Sequence, residues 1–195
     1  MRRCMRILTS VLLAGCAGCF SSSTPDSRAW LVAPRTDLQQ AAAPEGGSAF
    51  AATRLGVVTV SAPYDRAPFV VRRADGSVAF DAYNVFASAP ALLLRAPVRS
   101  RLQADGRFGH VVTSSSAASA DAQVEVTVTD LSLDCSGKGR QASVSLSAAL
   151  ISGAGRKVIA DGSGEARADA SSGDYTAAFS EAFSAAAREA LSKMK

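Results

Sequence analysis

The chain has 195 residues, 48% hydrophobic and 19% charged, a size that fits one domain burying roughly 70% of its unfolded surface. Its formal charge of +4 is no sign of a nucleic-acid binder. Three of the 21 basic residues (Arg2, Arg3, Arg6) and none of the 17 acidic ones fall in the first 15 positions, so the remainder carries 18 against 17, or +1. No Lys/Arg block with interleaved aromatics follows, which excludes nucleic acid as a partner.

Those three arginines precede an apolar stretch at residues 7–14. It is too short for a membrane-spanning helix, which needs about 20 residues, and has the length of a signal-peptide core. Leu13-Ala14-Gly15-Cys16 then forms a lipobox, a branched aliphatic followed by two small residues and the cysteine. This predicts cleavage after residue 15 and lipidation of Cys16. Cys19 is the weaker site, because the residue three before it is Cys16. Ala17 stands where an aspartate would retain the protein in the inner membrane, so the outer membrane is expected in hosts that use that sorting rule. Residues 17–27 are rich in serine and read as a tether, reaching at most roughly 36–40 Å when extended. The organisation expected is signal peptide 1–15, lipidated tether 16–27 and folded domain 28–195. Cys135 reads as a small apolar residue in a strand, with a bridge to Cys19 as the alternative.

In chain order, residues 29–33 predict a first strand stopped by Pro34, and residues 39–53, rich in Ala, Pro and Gly, an exposed loop. Residues 55–61 predict a β-branched strand. Residues 69–73 and 78–80 flank Asp75-Gly76, a strong hairpin signal. A helix is expected after Ser88 as N-cap, with Leu92, Leu93, Ala96, Arg99 and Leu102 on one face and an end at Asp105-Gly106. Pro97 has no amide hydrogen to give Leu93, so the helix should kink or split between these residues. Residues 108–112 form a short strand. From residue 123 valines alternate with polar residues, then the apolar phase slips by one to Leu131, Leu133 and Cys135, which predicts a bulge near Asp130. Strands at 142–150 and 157–167 follow. The last element, 175–195, carries Phe179, Phe183, Ala186, Ala187, Ala190, Leu191 and Met194 at helical spacing. This order predicts an α+β domain: a single largely antiparallel or mixed sheet with two helices packed on one face.

The sequence offers no catalytic constellation. One histidine, His110, cannot build a multi-histidine zinc site, and it reads as a surface or edge residue. No Gly-x-Ser-x-Gly elbow occurs, and Gly162-x-Gly164 lacks the third glycine of a dinucleotide loop. No catalytic residue, metal or cofactor is therefore expected. The group that stands out is Tyr64, Asp65, Arg66, Phe69, Arg72 and Arg73. Arginines and aromatics dominate protein–protein hot spots, so it is the candidate partner-binding patch. The other reading is a structural turn in which Asp65 and Arg66 cap or pair locally.

Pro63, Tyr64, Asp65 and Arg66, then Val70 and Arg72, Tyr83 and Phe86, Pro90, Leu93, Leu94 and Leu102, then Gly106 and Phe108 follow one another in an order that resembles the ABC-type transport auxiliary lipoprotein component family. The likeness extends over the closing strand–strand–strand–helix run. Two features depart from the family pattern: Pro97 inside the helix, and a Tyr-Asp-Arg stretch one residue shorter than in the paraquat-inducible-type branch. The resemblance implies a non-enzymatic role beside an ABC permease, its ATPase and a substrate-binding protein of the mammalian-cell-entry type, in lipid traffic between two membranes. Two other classes stay open: a periplasmic shuttle that binds lipid directly, which needs an apolar pocket of several hundred Å³, and an activator of envelope assembly or peptidoglycan synthesis. A homo-oligomer is compatible with the sequence.

Overall fold

The computed structural model describes residues 26–34, 48–153 and 157–194. Residues 1–25, including the signal segment, Cys16, Cys19 and most of the tether, lie outside the described residues. The strands are β1 (Arg28–Trp30), β2 (Phe50–Val60), β3 (Pro68–Arg73), β4 (Val78–Phe86), β5 (Phe108–Val112), β6 (Ala122–Cys135), β7 (Gln141–Ser152) and β8 (Val158–Asp169). The helices are a short α1 (Pro90–Leu93), α2 (Arg95–Ala104) and a long α3 (Tyr175–Lys193). The result is the expected α+β domain, with a mixed eight-stranded sheet.

β6 organises the sheet. β7 runs antiparallel along the whole of one edge, and β8 pairs with β7. The other edge of β6 is shared by two parallel strands placed end to end. β2 covers its first half, up to Val60 opposite Val128, and β3 its second half, from Val70 opposite Ser132. The bulge predicted near Asp130 appears as a register shift between Val128 and Asp130. It falls where β2 has ended and β3 has not yet begun. β5 extends β2 in parallel, β4 extends β3 through the hairpin, and β1 adds to β4 in parallel. Gly76 takes φ +79° in that hairpin, a conformation that favours glycine, and its amide donates to Arg73 O at 3.0 Å.

Two expectations about strands change. β1 is shorter than the predicted 29–33, and β2 begins at Phe50, inside the stretch read as a loop. Pairing of Phe50 with Phe108 and of Ala52 with His110 supplies ladder partners that the local composition did not announce.

The helices cover one face. α3 turns Phe179, Phe183, Ala186, Ala187, Ala190 and Leu191 into the core, as its spacing predicts. They meet Val124, Val126 and Val128 of β6 and Val144, Leu146 and Ala148 of β7 in one apolar cluster. Asp174 caps α3 by accepting from Ala177 N at 3.0 Å. The first helix is split at Leu94, within the predicted interval. Pro97 thereby becomes the third residue of α2, in the first turn, where amide hydrogens have no intrahelical acceptor. Ser88 is not the N-cap. Pro90 sets the first helical position, which makes Ala89 the cap, with no side-chain bond. The predicted stripe is also corrected: Leu92, Ala96 and Arg99 are exposed, while Leu94, Val98 and Leu102 are buried. The inward face is the one at i, i+4, i+8 from the break.

Candidate docking surface

The segment linking β2 to β3 leaves the sheet because two strands end to end need a detour between them. Tyr64 N donates to Ser61 O at 2.9 Å, which turns the chain at Ala62-Pro63. On the way back, Phe69 and Arg72 fall on opposite faces of β3.

Phe69 faces the helices and is fully buried. Its ring centroid lies 4.5 Å from Phe86, 5.1 Å from Phe179 and 5.5 Å from Tyr175. It is the hub of the aromatic core, and this removes it from the candidate surface. Arg72 faces away from the helices. Its Nη2 donates to Tyr64 Oη at 2.8 Å and lies 3.0 Å from Asp130 Oδ1. Asp130, 6% exposed, also accepts from Ser143 Oγ at 2.8 Å. Tyr64, Arg72, Asp130 and Ser143 thus tie the detour, β3, β6 and β7 together. The bond to Tyr64, with the charge of Asp130 and against some desolvation, raises the pKa of Arg72. Four residues further along β6, Asp134 accepts from the Ser136 hydroxyl at 2.6 Å and its amide at 2.9 Å, which hold its carboxyl below the ordinary range. Arg167 approaches the same carboxylate at 3.5 Å.

The structural reading of this stretch therefore rests on Tyr64 and Arg72 rather than on Asp65 and Arg66. Asp65, Arg66 and Arg73 are exposed. The guanidinium carbon of Arg66 sits 5.9 Å from the centroid of Phe80, which is 50% exposed, in cation–π range. Val78, 53% exposed, stands opposite Arg72 across the hairpin, and Phe80 opposite Val70, which puts both on the open sheet face. Phe80 and Val78 were not singled out in the sequence. The signal available was register: once Arg72 points outward, the Asp75-Gly76 hairpin carries Val78 and Phe80 outward with it. Elsewhere the open face carries the Thr59–Thr127 hydroxyl pair at 3.0 Å, with Val57, 53% exposed, beside it on β2.

His110 is exposed, and Cys135 carries a free, half-buried thiol whose pKa is raised by burial. Among the described residues no cluster of three His, Cys, Asp or Glu could hold a metal, and no helix is long and apolar enough to cross a membrane, which says nothing of β-barrels.

The domain is thus a mixed sheet with one face covered by helices, and one end of its open face carries Arg66 over Phe80. The chain belongs to the ABC-type transport auxiliary lipoprotein component family, whose model matches residues 36–190, and it is accordingly an auxiliary lipoprotein component of ABC-type transport. No curated protein sequence matches it. Protein XCC0632 from Xanthomonas campestris, of the DUF330 family, shares the fold at TM-score 0.60 and 17% identity, over 82% of this chain and 86% of its own. A second solved structure, of an uncharacterized protein, matches at TM-score 0.60 and 13% identity, over 83% and 93%.

Proposed function

We propose that the protein is an outer-membrane-anchored, periplasm-facing lipoprotein, attached through Cys16, that serves an ABC lipid transport system of mammalian-cell-entry type by docking rather than by catalysis. Family membership supports the transport role. The observation that carries the docking reading is the patch of Arg66, Phe80 and Val78, beside Asp65 and Arg73, on a domain whose other sheet face is fully occupied. Large exposed apolar side chains beside arginines are the composition of interface anchors. Direct lipid carriage is less well supported. The space between the helices and the sheet, lined by Val98, Leu102, Val126, Leu146, Phe183 and Leu191, holds only about 20 Å³, where an acyl chain needs hundreds.

Co-purification with the mammalian-cell-entry-type substrate-binding protein tests the reading. Arg66→Glu with Phe80→Ser should lose the partner while Tm stays within a few degrees, since both side chains are exposed. Wild-type recovery of the partner by this folded variant would place the interface elsewhere. Capture of an envelope-assembly enzyme in place of the transport protein would favour the activator reading.

A further inference from the structure

Residues 87–104 contain three arginines and no acidic residue. Arg101 is half-buried, and burial together with the nearby charge of Arg188 lowers its pKa. Arg95 and Arg99 differ. Both are exposed, and neither has an ion-pair partner among the described residues. They stand one turn apart on α2, about 6 Å between their Cβ atoms. Together with Thr113, Ser114 and Ser115 they line a groove of about 340 Å³ whose lining includes no carboxylate among the described residues.

The hydroxyl side of this groove is held in place from behind. Arg54 donates to Thr113 O at 3.2 Å, to Ser116 O at 3.0 Å and to Ala118 O at 2.5 Å, which pins the loop after β5 against β2. Thr113 and Ser115 exchange a hydroxyl bond at 3.1 Å, and Ser114 is exposed. The groove thus presents two arginines with no ion-pair partner among the described residues and three hydroxyls on a loop held by Arg54.

We propose that this groove is a binding site for a phosphoryl group. A phosphoryl oxygen accepts from guanidinium and hydroxyl groups alike, and the planar fork of arginine matches two of its oxygens at once. Among the described residues no carboxylate in the lining competes for the arginines or repels the anion. Leu92, 60% exposed, lies one turn before Arg95 on the same solvent side. It offers an apolar contact for the rest of a phospholipid, which favours a lipid headgroup over free phosphate. The site is separate from the Arg66–Phe80 patch and stands or falls without it.

The full-length protein, purified with its anchor in dodecyl maltoside, is titrated in two arms, with inorganic phosphate and with micelles doped with phosphatidylglycerol. Saturable phosphorus-NMR line broadening is the readout. Saturation with phosphatidylglycerol about ten-fold tighter than with phosphate assigns the site to a lipid headgroup, and equal affinities assign it to a soluble phosphoryl ligand. Arg95→Gln with Arg99→Gln should weaken either by about ten-fold or more without lowering Tm. Ser114→Asp, which keeps both arginines but places a carboxylate in the groove, should weaken it as well. Both variants should still co-purify with the transport partner, which separates this site from the docking surface. No saturable broadening in either arm, or broadening unchanged in both variants, overturns the proposal.

Discussion

Arg72 and Arg66 are six residues apart and answer to different physics. Asp130 is almost fully enclosed, and a carboxylate without its countercharge in such a place is expensive. Arg72→Ala should therefore cost about 2 kcal/mol, less than a fully buried pair because the arginine itself is 37% exposed. Arg66→Ala should cost less than about 0.5 kcal/mol. Urea unfolding of the two variants checks the contrast, and equal losses would refute it. Arg107 is a third kind of arginine. It donates to both carboxylate oxygens of Asp105 and to the carbonyls of Leu191 and Met194, closing the end of α3. Burial pushes the Asp105 carboxyl up, but the bonds from Arg107 outweigh it and leave the pKa lowered. A depressed folded pKa stabilises above the unfolded value of about 3.9 and stops doing so as pH falls through the folded one. Arg107→Met should thus lose about 2 kcal/mol at pH 7, and the gap to wild type should shrink below about pH 4. A gap independent of pH would mean the carbonyl contacts alone matter.

Among the elements, the contact of β8 with α3 depends on absence of side chains. A Cβ on Gly164 would overlap the Ala186 carbonyl oxygen, and one on Gly162 the Ala190 carbonyl oxygen. These glycines, which bear no relation to a dinucleotide loop, let the helix backbone lie directly on the strand opposite Ala186 and Ala190. Gly164→Ala should lift α3 from the sheet and cost about 1–3 kcal/mol, whereas Gly137→Ala, where an added Cβ meets nothing, should be near neutral. Thermal melts of the pair distinguish close approach from a general intolerance of alanine. The split first helix has an equally local cause, because Pro97 is harmless at the start of a helix and costly in its middle.

At the scale of the molecule, β1 ties the first described residues to the rest of the domain. Trp30 packs edge-on against Tyr175 at 5.0 Å and donates to Asn84 at 3.0 Å, while Ala33 N donates to Ser180 of α3 at 2.9 Å. The segment from Arg28 to Ala33 is therefore held by both the sheet and the long helix. If the anchor is at Cys16, Cys16→Ala should accumulate as unprocessed precursor and Cys19→Ala should mature normally. Intact-mass analysis locating the lipid on Cys19 would overturn this.

What the sequence determined by itself is what period and turn chemistry encode locally. Asp75-Gly76 predicts a hairpin because its backbone conformation is available to few residues. The phase slip after Val128 predicts the bulge because side chains alternate strictly along a strand, and the spacing of Phe179 to Met194 predicts the inward face of α3. What only the tertiary structure decided is what depends on a neighbour far along the chain. Phe50 becomes a strand residue through Phe108, 58 positions away. Phe69 is core because Phe86 and Phe179 close over it, while Arg66 stays outside with Phe80. The wet face of the first helix could not be read from its leucines, since the break at Leu94 resets which residues meet the sheet. Composition alone cannot separate a buried arginine tie from an exposed arginine anchor. That difference lies in whether a carboxylate from another strand arrives beside it, as Asp130 does for Arg72 and none of the described residues does for Arg66.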